Sequence, residues 1–119
     1  MALVVLSDSF KDGERLGTPH VLSEAYGFGC AGGNLSPQLS WSGAPSETES
    51  FAVTCYDPDA PTGSGFWHWN VANIPATVNA LELGAGDPSA DKMPAGSIEV
   101  RTDFGAPGYG GPCAPEGSN

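Results

Sequence analysis

Only four side chains of this 119-residue chain carry a permanent positive charge, Lys11, Arg15, Lys92 and Arg101, against 14 Asp and Glu, for a formal net charge of −10. A nucleic-acid surface needs a basic patch, which four cations scattered through the sequence do not supply, and the same scarcity disfavours docking on anionic membranes. Histidine is equally sparse. His20 and His68 are the only two, and Cys30, Cys55 and Cys113 show no C-x-x-C spacing, so neither a metal site nor any other cofactor is expected. Three cysteines, odd in number, need a reducing compartment only if none of them pairs, and the expected location is cytoplasmic. Long apolar runs are also missing. Met1 to Leu6 is apolar but has no basic residues before it and is cut off by Ser7 and Asp8, so it reads as a first strand and not as a secretory signal or a membrane span. No window carries a helical stripe, and Leu81 to Asp91 is interrupted by Gly84, Gly86 and Pro88.

What the chain has in quantity is turn chemistry, with 17 glycines and 11 prolines. Between them lie aromatic and β-branched runs, which points to a turn-rich all-β domain instead of a disordered chain. Ser50 to Tyr56 alternates with Phe51, Val53 and Cys55 on one face and Ala52, Thr54 and Tyr56 on the other. Phe66 to Ile74 reads as a second strand. Period-two geometry places Phe66, His68 and Asn70 on one face and Trp67, Trp69, Val71 and Asn73 on the opposite one, so both tryptophans are expected in the core and His68 on the sheet surface.

The turn between these strands, Asp57-Pro58-Asp59-Ala60-Pro61, is stiffened by its prolines and brings Asp57 to a strand end, where it can meet His68. Asp before Pro is also a common turn starter, and a histidine between tryptophans is commonly a satisfied core residue. An imidazolium beside Asp57 makes a good anchor for an anion, even in a protein of net charge −10, because remote acids are screened over about 8 Å at physiological salt. Gly105, Gly108, Gly110 and Gly111 around Tyr109 and Pro112 fit either a loop that tolerates positive φ or a nest of backbone N–H groups facing an anion. A hydrolase triad of Ser64, His68 and Asp57 lacks a nucleophile elbow, so no catalytic residue is assigned and the protein is not expected to be an enzyme. Cys113 has no neighbour that would depress its pKa and is read as inert by default.

Four ordered motifs resemble one family. Asn34 to Trp41 is similar to an N-x-S-P-x-L-x-W segment, Asp57 to Pro61 to a D-P-D-A-P signature, His68 to a pocket histidine, and Asp103 to Cys113 to a glycine-rich loop, all of the phosphatidylethanolamine-binding proteins and their bacterial and archaeal Raf-kinase-inhibitor-like branch. The resemblance implies an antiparallel β-sandwich. It also implies a shallow ligand pocket lined by Asp57, His68, Tyr109, Gly110, Gly111 and Pro112, with Asp59, Pro61 and Trp67 as structural support. Members of the family continue into a G-x-x-H-R-Y/F segment, whereas this sequence stops at Glu116-Gly117-Ser118-Asn119. One domain over residues 1–119, incomplete at its C-terminus, is therefore expected, with self-association through an open sheet edge. The implied function is non-catalytic binding of a small anionic ligand such as phosphate or a phosphoethanolamine-like head group. The rival reading is a protein-interaction module that inhibits a kinase or protease.

Overall fold

A computed structural model describes residues 3–24, 30–60 and 62–113. Among the described residues six strands form two antiparallel three-stranded sheets: β1 (Val4–Leu6), β2 (Leu39–Ser42) and β5 (Ala80–Leu81) in the order β1-β2-β5, and β3 (Ser50–Asp57), β4 (Phe66–Pro75) and β6 (Ile98–Val100) in the order β3-β4-β6. The helical elements are single 3-10 turns such as Thr18–His20 and Pro88–Ala90. The glycines and prolines break most of the chain into short runs, and the longer uninterrupted ones carry strands β1 and β3.

The core lies between the sheets. Trp41 and Leu81 come from one sheet, Trp69, Val71 and Ile74 from the other, and Ala85 and Tyr109 from the loops that close the ends. Fully burying one aliphatic side chain of this kind contributes about 1.5–3 kcal/mol. Alternation along β3 is regular, with Phe51, Val53 and Cys55 partly buried and Ala52, Thr54 and Tyr56 exposed. The apolar strand β1 is exposed at all three positions, and its one sheet neighbour is β2.

Alternation along β4 breaks twice, and each break is a bulge against β3. Tyr56 pairs with Trp67 and Cys55 with Trp69, so one step on β3 spans two on β4 and His68 is the extra residue. Further along, the two steps from Phe51 to Val53 face three from Ile74 to Val71, with Asn73 in this stretch at φ +56°. The first bulge separates the two tryptophans. Trp69 is buried at 1 % exposure, whereas Trp67 is 40 % exposed and stacks on Tyr56 at a centroid distance of 4.4 Å. The expectation that Trp67 fills the core and that His68 sits on the open sheet surface is thus corrected: Trp67 turns outward and His68 is buried at 6 % exposure.

Candidate functional site

Asp57 is the last residue of β3 and pairs in register with Phe66, which places His68 two residues along the neighbouring strand. The turn begins with an Asx bond, in which Asp57 Oδ1 accepts from the Asp59 N–H at 3.0 Å. Asp59, expected as structural support, thus enters the turn through its backbone N–H. Pro61 lies outside the described residues.

The ring of His68 is held from behind. Its Nδ1 lies 2.7 Å from the Gly110 carbonyl oxygen, which can only accept, so Nδ1 carries the proton. Nε2 is then a lone pair in the neutral ring and a donor in the imidazolium. It stands 3.8 Å from Asp57 Oδ2, longer than a hydrogen bond, with the Asp57 side chain 37 % exposed. Phe66 and Phe104 flank the imidazole at centroid distances of 4.9 and 5.9 Å and meet each other edge to face at 4.8 Å. These two phenylalanines are the aromatic walls. Tyr109, expected in that role, packs into the core edge-on to Trp69 at 5.8 Å, and its hydroxyl donates to the His20 carbonyl at 2.8 Å. Burial pushes the Tyr109 phenol well above the ordinary tyrosine range.

The glycine-rich loop is not an anion nest. The Tyr109 N–H donates to the Gly86 carbonyl, the Gly110 N–H to the His68 carbonyl, and the Gly111 N–H to Asn34 Oδ1 at 2.7 Å. All three amides are occupied within the protein. Glycine is required here for close approach: a β-carbon on Gly110 would run into the Phe104 ring, and one on Gly111 into the His20 carbonyl oxygen. Pro112 accepts from the Leu22 N–H at 3.1 Å. Asn34, at φ +53°, also donates through Nδ2 to the Tyr109 carbonyl at 3.3 Å and is the side chain that pins the loop. Sequence reading singled out the motif containing Asn34 but gave the residue no role.

Cys30 and Cys113 form a disulfide with Cα atoms 5.9 Å apart, and Cys55 is a free thiol. The inert reading of Cys113 and the cysteine argument for a cytoplasmic location both lose their premise. Burial, aided by the charge of Asp57, raises the Cys55 thiol pKa. A cavity of about 390 Å³ is lined by Tyr109 and Gly110, both expected at a pocket, and by Phe104 and Asn34, but not by Asp57 or His68. Among the described residues no cluster of three or more His, Cys, Asp or Glu could hold a metal ion, and no helix is long and apolar enough to cross a membrane.

The family model described as phosphatidylethanolamine-binding protein matches residues 6–119. The chain is 58 % identical over 116 residues to the UPF0098 protein YbcL of Escherichia coli K12, covering 98 % of this chain and 62 % of that protein. It is 48 % identical over 113 residues to YbhB of the same organism, covering 95 % of this chain and 69 % of that one. The crystal structure of E. coli YbcL, described there as a new member of the mammalian PEBP family, superposes with a TM-score of 0.92 at 56 % identity over 98 % of this chain and 70 % of that chain. A putative phosphatidylethanolamine-binding protein homolog from Chlamydia trachomatis superposes with a TM-score of 0.78 at 27 % identity, covering 97 % of this chain and 67 % of that chain. This chain thus spans somewhat less than two thirds of the length of YbcL.

Proposed function

The chain belongs to the phosphatidylethanolamine-binding protein family, and from that premise we propose that it binds, without turnover, a small phosphorylated group at His68 and Asp57. The observation that carries this reading is the fixed ring: with Nδ1 committed to the Gly110 carbonyl, only Nε2 remains to meet a ligand, and it does so across a gap from a carboxylate.

That gap limits the ligand. A bare anion beside Asp57 is repelled by it, so a favoured ligand offers an acceptor to Nε2–H and a donor to Asp57. A phosphate monoester monoanion does this through its own O–H, which is lost as its second ionisation passes about pH 6. A phosphoethanolamine-like zwitterion keeps a donor after that ionisation, because its ammonium supplies it, and binds for as long as Nε2 carries its proton. With the loop amides occupied by protein acceptors, few donors remain for the ligand, and affinity is weak, in the millimolar range or about −4 kcal/mol.

The test is an NMR titration of the 119-residue chain with methyl phosphate and with phosphoethanolamine, following the His68 ring resonances between pH 5.5 and 8. The expected result is saturable shifts for both ligands at low pH, with phosphoethanolamine holding to higher pH than methyl phosphate and both released once Nε2 carries no proton. An unresponsive His68 ring with either ligand leaves the protein-interaction reading in its place.

A further inference from the structure

We propose that the Cys30–Cys113 disulfide is a redox-responsive clamp on the anion site, competent when oxidised and weakened when reduced. The proposal rests on the anion reading above and assigns that site its regulation.

The Gly110–Pro112 wall sits between two parts of the chain. On one side Gly110 exchanges two bonds with His68, through the ring and through the backbone. On the other side the wall meets residues 20–34, whose described part has no strand and no helical element beyond short 3-10 turns. Leu22 N–H to the Pro112 carbonyl and Gly111 N–H to Asn34 Oδ1 hold that second contact, beside two bonds at the adjoining Tyr109, from its hydroxyl to the His20 carbonyl and from Asn34 Nδ2 to the Tyr109 carbonyl. No strand pairing among the described residues crosses the contact. The covalent link joins the same two segments, with Cys113 directly after Pro112 and Cys30 four residues before Asn34, across a sequence separation of 83. A cross-link over so long a loop removes the entropy that the separated segments would otherwise regain. Holding the wall holds the Gly110 carbonyl, and that carbonyl keeps Nε2 of His68 aimed at Asp57.

Opening the clamp is ordinary thiol–disulfide exchange. A thiolate of an external dithiol attacks one sulfur of the pair and breaks the Cys30–Cys113 bond, and the dithiol's second thiol resolves the mixed disulfide. The dithiol becomes a cyclic disulfide, and two electrons and two protons go to the protein as two thiols. Disulfides persist in oxidising surroundings, so the competent state belongs to such a compartment. Cys55 takes no part, being unpaired on β3.

The experiment uses the 119-residue chain carrying Cys55→Ser, oxidised or treated with dithiothreitol, beside a Cys30→Ser/Cys113→Ser variant. Phosphate affinity is read from the His68 ring, and loop mobility from hydrogen exchange of the Gly110 and Gly111 amides. Reduction is expected to weaken phosphate binding at least fivefold and to speed exchange at both amides, while the Trp69 indole resonance keeps its folded position. The double variant is expected to match the reduced protein and to ignore dithiothreitol. Equal affinity in both redox states overturns the clamp, as does unchanged amide exchange. Global unfolding on reduction, seen in the Trp69 resonance, also overturns it, because the bond is then a staple of the whole domain. An oxidised protein that binds neither phosphate nor phosphoethanolamine overturns the anion reading, and with it the regulatory role; faster loop exchange on reduction in that protein would mark only a mechanical tether.

Discussion

Gly110 and His68 hold each other twice: the His68 Nδ1–H donates to the Gly110 carbonyl at 2.7 Å, and the Gly110 N–H donates to the His68 carbonyl at 3.0 Å. A strand and a loop 42 residues apart are thereby locked with the imidazole in one tautomer. His68 is also the bulged residue of β4, the one position there with no partner on β3 between Trp67 and Trp69. The irregularity in the ladder thus sits at the side chain the site needs.

Gly110→Ala is expected to separate the two residues, because the added methyl meets the Phe104 ring. Overpacking of this kind costs about 1–3 kcal/mol. Chemical denaturation measures that loss, and the Nδ1–H resonance of His68 is expected to move or broaden. An unchanged resonance would mean that the loop does not orient the ring.

Trp69→Ala is expected to cost about 3–5 kcal/mol and Trp67→Ala about 1 kcal/mol or less. Trp69 is 1 % exposed in the core, whereas Trp67 lies on the outer face against Tyr56. Equal losses in urea denaturation would contradict the bulge at His68.

His68→Ala is expected to abolish measurable binding of phosphate and phosphoethanolamine with the fold retained. Asp57→Asn is the finer probe. Its amide oxygen can still accept from the Asp59 N–H, so the turn survives while the charge is lost. The preference for phosphoethanolamine over methyl phosphate at about pH 7, where the monoester has lost its O–H, is expected to disappear in Asp57→Asn, as read by ligand titration. A retained preference would place the ammonium elsewhere.

Glu99 supplies a pH dependence. Both carboxylate oxygens are buried without a hydrogen-bond partner, and desolvation, aided by the charge of Asp87, pushes its pKa up to about 7 from an ordinary 4.5. A carboxyl raised on folding favours the folded state while it is protonated. That advantage is complete below about pH 4.5, is lost as pH rises from there to about 7, and changes no further above that. Glu99→Gln is expected to remove this loss, so its Tm advantage over the parent grows between pH 4.5 and 7 and then stays level. Thermal melts across that range check it, and parallel curves would show that Glu99 reaches water.

Much of the site was legible in the sequence because it is local. Pro58 and the strand pattern of Ser50 to Tyr56 place Asp57 at a strand end, and a turn of this length brings the next strand back beside it, so the nearness of Asp57 and His68 follows from neighbours in the chain. Motifs carried the family, because turn and loop residues at set spacings survive as short patterns.

Other features depend on contacts between distant parts of the chain. Alternation assigns faces only while two strands stay in step, and whether a strand takes an extra residue depends on its partner. The outward Trp67, the inward Trp69 and the buried His68 were therefore decided by the pairing of β4 with β3. The amides of Gly110 and Gly111 looked available because their acceptors, the His68 carbonyl and the Asn34 side chain, lie 42 and 77 residues away. Cys30 and Cys113 likewise became a pair only when residues 20–22 and 34 packed on the glycine-rich loop. Sequence by itself determined strands β1, β3 and β4, the turn that joins the last two and the side chains that this turn can present, since these are set by backbone preference and side-chain period; the short strands β2, β5 and β6 form only against their partners. Tertiary structure alone decided which polar groups remain free to meet a ligand, because a donor is spent or spared only when the rest of the chain arrives around it.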